Sequence, residues 1–80
     1  MLDLQPLVIL REVDQTGNLT QAAKSLCLSQ SAVSHAIRRF EERHQVKVWE
    51  REGHKLRLTL AGEYLLRLGQ RVLPQLERGA

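Results

Sequence analysis

The residues best suited to chemistry lie between positions 30 and 38 and share one face of a predicted helix. Advancing about 100° per residue places five polar side chains within roughly 140° of arc. They are Gln30, Ser31, Ser34, His35 and Arg38. Amide, hydroxyl and imidazole groups donate or accept hydrogen bonds, and the set contains no acid. Such groups match the edges of base pairs in the DNA major groove. The alternative is a solvent-exposed face that carries few charges.

The opposite side of the same segment is apolar and predicts the buried face of the helix. Its members are Ala32, Val33, Ala36, Ile37 and Phe40. Ser29 is a suitable N-cap, so the free N–H groups of the first turn point outward at the positive end of the helix dipole. A phosphate could bind at that end. We expect this helix to span about residues 30–43.

A shorter helix precedes it and completes a helix-turn-helix pattern. Gly17 and Asn18 predict the end of one helix and the N-cap of the next. The inner side of the short helix is formed by Ala22, Ala23 and Leu26. Leu28 is expected to fill the corner between the helices, and Cys27 to be half buried in the turn. A helix-turn-helix places its second helix in the DNA major groove.

Two short alternating runs, at 46–49 and 56–58, around a glycine-containing turn at 50–55 predict a β-hairpin after this motif. A hairpin in that position is a candidate wing, of about residues 50–56. Its candidate DNA contacts are Arg51, His54 and Lys55. We expect Arg38, Arg51 and Lys55 to contact mostly phosphates, and His54 to lie near the minor groove. Trp49 alternates inward and is predicted to belong to the core. The alternative for the hairpin tip is an ordinary exposed loop.

Two further helices flank the motif, one from about Leu2 to Gln15 and a long one from about Leu60 to Arg78. Asp3 and Thr59 are their predicted N-caps. The apolar arc of the long helix is roughly 160° wide, more than one contact with a small domain requires. We therefore expect one surface to pack on the domain and another to form a dimer. The candidate interface is Leu65, Leu66, Gly69, Val72, Leu73 and Leu76. The alternative is that the arc only docks this helix on its own domain.

The charge of the chain is unevenly distributed. Twelve Lys and Arg residues against nine Asp and Glu residues give a formal net charge of +3. Residues 1–37 carry −1 and residues 38–80 carry +4, so the basic excess begins on the predicted reading helix, which suits a polyanion. Eighty residues make one small domain that gains from oligomerisation. No apolar run reaches bilayer length and no signal-peptide pattern is present, so we expect a soluble, cytoplasmic protein with no membrane partner.

The sequence offers little for catalysis. The three histidines and the single cysteine show no metal-ligand spacing, and there is no phosphate-binding glycine loop. We therefore expect no enzyme, no metal and no cofactor in these residues. A helical interaction or dimerisation module is the competing function, and in it the polar face of the reading helix would be idle. Salt dependence distinguishes the two, because phosphate contacts make affinity fall steeply with salt.

The order helix, helix-turn-helix, wing and long helix resembles the N-terminal DNA-binding domain of a LysR-type transcriptional regulator. The resemblance covers essentially the whole chain. It is carried by the segments at 17–23, 28–34, 40–41, 49–51 and 58–62, which read GNLTQAA, LSQSAVS, FE, WER and LTLAG. His35 departs from the pattern, since the family usually has an arginine there, and this weakens the expectation of a bidentate contact with guanine.

The resemblance implies a mainly α fold, in which a winged helix-turn-helix at 1–58 is followed by a linker and dimerisation helix at 59–80. It implies a homodimer on an inverted-repeat promoter site, with the full-length protein a tetramer that bends DNA. It also implies a C-terminal domain outside these residues that binds a small-molecule co-inducer. RNA polymerase is a further candidate partner.

Overall fold

In a computed structural model, which describes residues 3–53 and 55–79, four helices and one hairpin surround a small core. The helices are α1 (Gln5–Thr16), α2 (Leu19–Ser25), α3 (Gln30–His44) and α4 (Leu60–Gly79), and the strands are β1 (Trp49–Glu52) and β2 (Lys55–Leu58). This order confirms the mainly α fold with a wing. The described helices contain no stretch long and apolar enough to span a bilayer.

The first helix begins later than the sequence predicts. Its N-cap is Leu4, although the carboxylate of Asp3 accepts a hydrogen bond from the N–H of Gln5 at 3.0 Å. Pro6 lies in the first turn, where the missing N–H costs nothing. Gly17 ends the helix with a φ of 86°, the left-handed conformation that glycine adopts without strain.

The core lies where α1, α2 and α3 meet the start of the hairpin. Its most deeply buried side chains are Ile9, Leu10, Val33, Ile37 and Val48. Trp49, Leu56 and Leu58 pack against this cluster from the hairpin, which confirms the predicted inward position of Trp49. The core therefore fixes α3 against the other elements and leaves its opposite face free.

The turn of the hairpin is shorter than the sequence predicts. The strands pair antiparallel, with Trp49 opposite Leu58 and Glu52 opposite Lys55. Residues 50–52, predicted as part of the turn, belong to β1, while the first three residues of the predicted run at 46–49 are not in the sheet. The N–H of Val48 is instead bound by a side chain of α3, as described below. His54, predicted for the tip, lies outside the described residues.

Candidate nucleic-acid interface

The capping and packing of α3 decide which of its side chains reach solvent. The hydroxyl of Ser29 accepts a hydrogen bond from the N–H of Ala32 at 3.0 Å, which confirms the predicted N-cap. Val33 and Ile37 are fully buried. Ala32, predicted on the buried side, is exposed, because only the arc centred on Val33 and Ile37 meets the other helices. The free face of α3 is therefore wider than the sequence suggests.

The turn before α3 is held by local bonds. The side chain of Asn18 accepts from the N–H of Gln21 at 2.7 Å and so starts α2. The N–H of Leu28 donates to the carbonyl of Ala23 at 2.9 Å. Cys27 has a φ of 58° and is exposed, which corrects its predicted half-buried position: its neighbours Leu26 and Leu28 are the turn residues that pack against the core. These bonds set the angle between α2 and α3.

The polar face of α3 forms one wall of an open depression. Gln30, Ser31, His35 and Arg38 are exposed and Ser34 is half buried. The residues that line the depression are Ser29, Gln30, Ser31, Ala32, Ser34, His35, Arg38 and Arg51. Arg51 comes from β1, so the fold brings a cation of the wing to the reading helix. None of the lining residues is an acid.

Two neighbouring grooves extend this surface and include residues that the sequence analysis missed. One lies between the wing and the start of α2, where Gln30, Arg51 and Lys55 face Asn18 and Thr20. The other lies between α3 and the hairpin, where Lys47 joins Arg38 and Arg51 around Ser34, Trp49 and the acids Glu41 and Glu50. Lys47 and Thr20 carried a weak signal: each is a polar residue within a predicted element, Thr20 in the first turn of the short helix and Lys47 between two valines of the first alternating run, and both are exposed.

The cations of this surface are available to a ligand. Within residues 3–53 and 55–79 the ion pairs are Arg11 with Glu77 and Arg57 with Glu52. Arg38 is therefore not paired with Glu42, the competing role that helix spacing suggests for it. Arg51 and Lys55 are likewise unpaired with any described carboxylate, and both are exposed.

Two hydrogen-bonded joints position the wing relative to α3. The carboxylate of Glu41 accepts from the N–H of Val48 at 2.8 Å and so ties α3 to the residue before β1. Thr59 accepts from the N–H of Gly62 at 3.1 Å, which confirms it as the cap of α4, and it donates its own N–H to the carbonyl of Val48 at 3.0 Å. The three elements therefore meet at Val48.

The long helix uses part of its apolar arc inside its own domain. Gly69 lies against Leu7, and Leu73 is 3% exposed; both pack on α1 and offer a partner almost no surface. Leu65, Leu66 and Val72 are half buried, whereas Leu76 is 48% and Tyr64 63% exposed. The candidate dimer surface therefore loses the buried Gly69 and Leu73, and the exposed Tyr64 extends it.

An ion pair secures the far end of α4. Both terminal nitrogens of Arg11 donate to the carboxylate of Glu77, at 3.2 and 2.9 Å. This hydrogen bond holds the pKa of Glu77 below its ordinary value. Gln70 also donates to Asp14, at 3.4 Å. These contacts join the second half of α4 to the second half of α1.

The fold and this surface define a winged helix-turn-helix DNA-binding domain. The parts of the chain that the structure describes hold no group of three His, Cys, Asp or Glu side chains placed to bind a metal. The family profile described as "Bacterial regulatory helix-turn-helix protein, lysR family" matches residues 4–63. The chain belongs to this family, as the sequence resemblance indicated.

Known proteins similar to this chain agree with that assignment. The transcriptional regulator MetR of Haemophilus influenzae is 40% identical over 74 residues, 92% of this chain and 24% of the relative. The DNA-binding domain of CbnR, solved in complex with DNA, has 28% identity and a TM-score of 0.82 over 98% of this chain and 90% of its own. A LysR-family regulator from Eggerthella lenta has 37% identity and a TM-score of 0.70 over 85% and 96%.

The chain spans about a quarter of the length of the curated relatives it matches. Those relatives are transcriptional regulators rather than enzymes, which confirms the expectation for the function class. The chain is therefore a LysR-type helix-turn-helix DNA-binding domain.

Proposed function

We propose that this domain recognises a specific sequence of double-stranded DNA, with α3 in the major groove and the wing on the adjacent backbone. The observation that carries the proposal is the acid-free depression along α3, to which β1 adds Arg51. Exposed amide, hydroxyl and imidazole groups supply base contacts, whereas Arg38, Arg51, Lys55 and Lys47 supply phosphate contacts. The solved CbnR complex supports the same use of the fold.

The residues proposed to read DNA occupy different places on α3. Gln30 stands at the start of α3, where its amide could pair with N6 and N7 of an adenine. Ser31 and His35 lie farthest from the core, and Ser34 faces the wing. His54, predicted for the wing tip, lies outside the described residues, and its place near the minor groove stays a prediction.

The test is selection of bound sequences from random duplexes, followed by titration of the best duplex. Gln30→Ala should weaken the best site by roughly 1–3 kcal/mol and relax the preference at one position. Gln75→Ala is the matched control: Gln75 is an exposed glutamine of α4 outside the three grooves, so affinity should not change. Unchanged affinity and preference in both Gln30→Ala and His35→Ala would show that this face does not read DNA.

We further propose that the domain acts as a dimer on an inverted repeat within a longer regulator. A two-fold pair makes each patch self-complementary and fixes the spacing of two recognition helices. The structure favours the exposed Leu76 and the half-buried Leu65, Leu66 and Val72 over the buried Gly69 and Leu73 as the contact surface, with Tyr64 beside them. The tetramer, the co-inducer site in a further domain, the contact with RNA polymerase and the cytoplasmic location belong to this proposal for the whole regulator.

Sedimentation equilibrium tests the dimer directly. Leu76→Glu places a charge on an exposed position and should shift the chain toward monomer without unfolding it. Gln75→Glu, on the neighbouring exposed position, is the control. A monomeric chain at tens of micromolar, together with unchanged DNA affinity in Leu76→Glu, would contradict the dimer.

A further inference from the structure

His35 occupies a position on α3 that makes its charge visible to DNA. It is exposed and lines the acid-free depression together with Ser31, Arg38 and Arg51. Helical spacing places it almost opposite the buried Val33 and Ile37, on the part of α3 that would enter a groove most deeply. Of the side chains that line this depression, it is the one histidine, the residue type that proteins use as a switch of charge near physiological pH.

The charged groups around His35 leave it without a protein counter-ion. On its own helix, Arg38 and Arg39 follow within one turn, and Glu42 lies about 10 Å farther along the helix axis. From the wing, Arg51 borders the same depression. A protonated imidazole at this position is therefore among cations in the free domain, and an acceptor supplied by DNA would favour that proton.

We propose that His35 is a specificity-determining residue that binds DNA in its protonated form, donating to the N7 or O6 acceptor of a guanine. The proposal rests on the DNA-binding function proposed above and adds the protonation state and the base. A guanine presents two acceptors at its major-groove edge, and a cationic donor is the usual partner for them. Binding at such a site takes up a proton, so affinity for the specific duplex should rise as the pH falls.

The experiment measures the affinity of the 80-residue chain for the selected duplex and for a scrambled duplex, from about pH 8 to about pH 5.5 at constant salt. For the unsubstituted chain, affinity for the selected duplex should rise by up to about tenfold per pH unit across the histidine range. The scrambled duplex should show a smaller rise. His35→Gln should remove the difference in pH dependence between the two duplexes, and His35→Arg, whose charge is permanent, should retain the guanine preference without the pH dependence.

His44→Gln is the matched control, because His44 is exposed at the end of α3 and its ring lies 4.4 Å from that of Phe40. This variant should keep the full pH dependence. The inference is overturned if His35→Gln or His35→Arg keeps the pH dependence of the unsubstituted chain, or if both duplexes show the same rise, which would indicate a phosphate contact. DNA binding without any pH dependence overturns this inference alone, whereas no binding at any pH overturns the proposed function as well.

Discussion

Gly62 should tolerate no side chain, because α4 begins in direct contact with the backbone before the wing. A Cβ at this position would overlap the carbonyl oxygen of Val48 and lie 3.1 Å from its carbonyl carbon, whereas ordinary contact begins near 3.4 Å. Val48 is 0% exposed, so the oxygen has no room to move aside. Gly62→Ala therefore forces α4 away from β1 and strains the two hydrogen bonds from Thr59 to Val48.

The expected cost follows from three opposing effects. Overpacking costs about 1–3 kcal/mol, and two weakened hydrogen bonds add roughly 0.5–1.5 kcal/mol each. Alanine recovers about 1 kcal/mol of helix propensity. The net loss is roughly 1–5 kcal/mol in the free energy of unfolding, with a midpoint of about 3 kcal/mol, a large share of the ~5–15 kcal/mol typical of a folded domain.

Urea unfolding followed by the fluorescence of Trp49, the single tryptophan, measures this loss at one fixed protein concentration. The midpoint should fall by about 1–3 M. Gly79→Ala is the matched control, since a Cβ there meets nothing within 4 Å, and it should change stability by less than about 0.5 kcal/mol. A Gly62→Ala domain as stable as the parent, or stabilised by its helix propensity, would refute this account of the α4 joint.

Three further perturbations test other parts of the structure. Glu41→Ala leaves the buried N–H of Val48 without its acceptor and should cost about 1–3 kcal/mol of stability in urea unfolding. Glu77→Gln should flatten the acid limb of a thermal-unfolding profile: the hydrogen bond from Arg11 lowers the pKa of Glu77 from 4.5, so the pair stabilises the fold above that pH and its contribution is lost as pH falls through the lowered pKa. Lys55→Gln should reduce the salt slope of DNA binding by about one and weaken all sequences alike.

Matched variants keep these outcomes interpretable. Glu42→Ala removes an exposed carboxylate of α3 and should leave both the urea midpoint and the acid limb unchanged. Arg78→Gln removes an exposed cation at the far end of α4 and should leave the salt slope unchanged. If Glu42→Ala changed stability as much as Glu41→Ala or Glu77→Gln, the contacts assigned to Glu41 and Glu77 would be contradicted. If Arg78→Gln changed the salt slope as much as Lys55→Gln, the phosphate contact of Lys55 would be contradicted.

The local features of the chain could be predicted from the sequence. The caps Asn18, Ser29 and Thr59 lie where predicted, and so do the left-handed end at Gly17 and the polar face that begins at Gln30. Each depends on residues within about one helical turn, because capping bonds and helical periodicity act over that distance. The family segments also contain the residues that form the joints at Val48, although the sequence does not indicate what those residues contact.

The tertiary structure alone decided how distant segments share one surface. The sequence places Arg51 on a wing, but only the fold puts it in the same depression as His35, and only the fold adds Lys47. Likewise, a helical wheel predicts a wide apolar arc on α4. It cannot tell which residues of that arc pack inside the domain and which remain for a partner, because Gly69 and Leu73 are covered by α1, from the other end of the chain. Burial depends on which residues meet across long sequence separations, whereas periodicity reports only the polarity of each face.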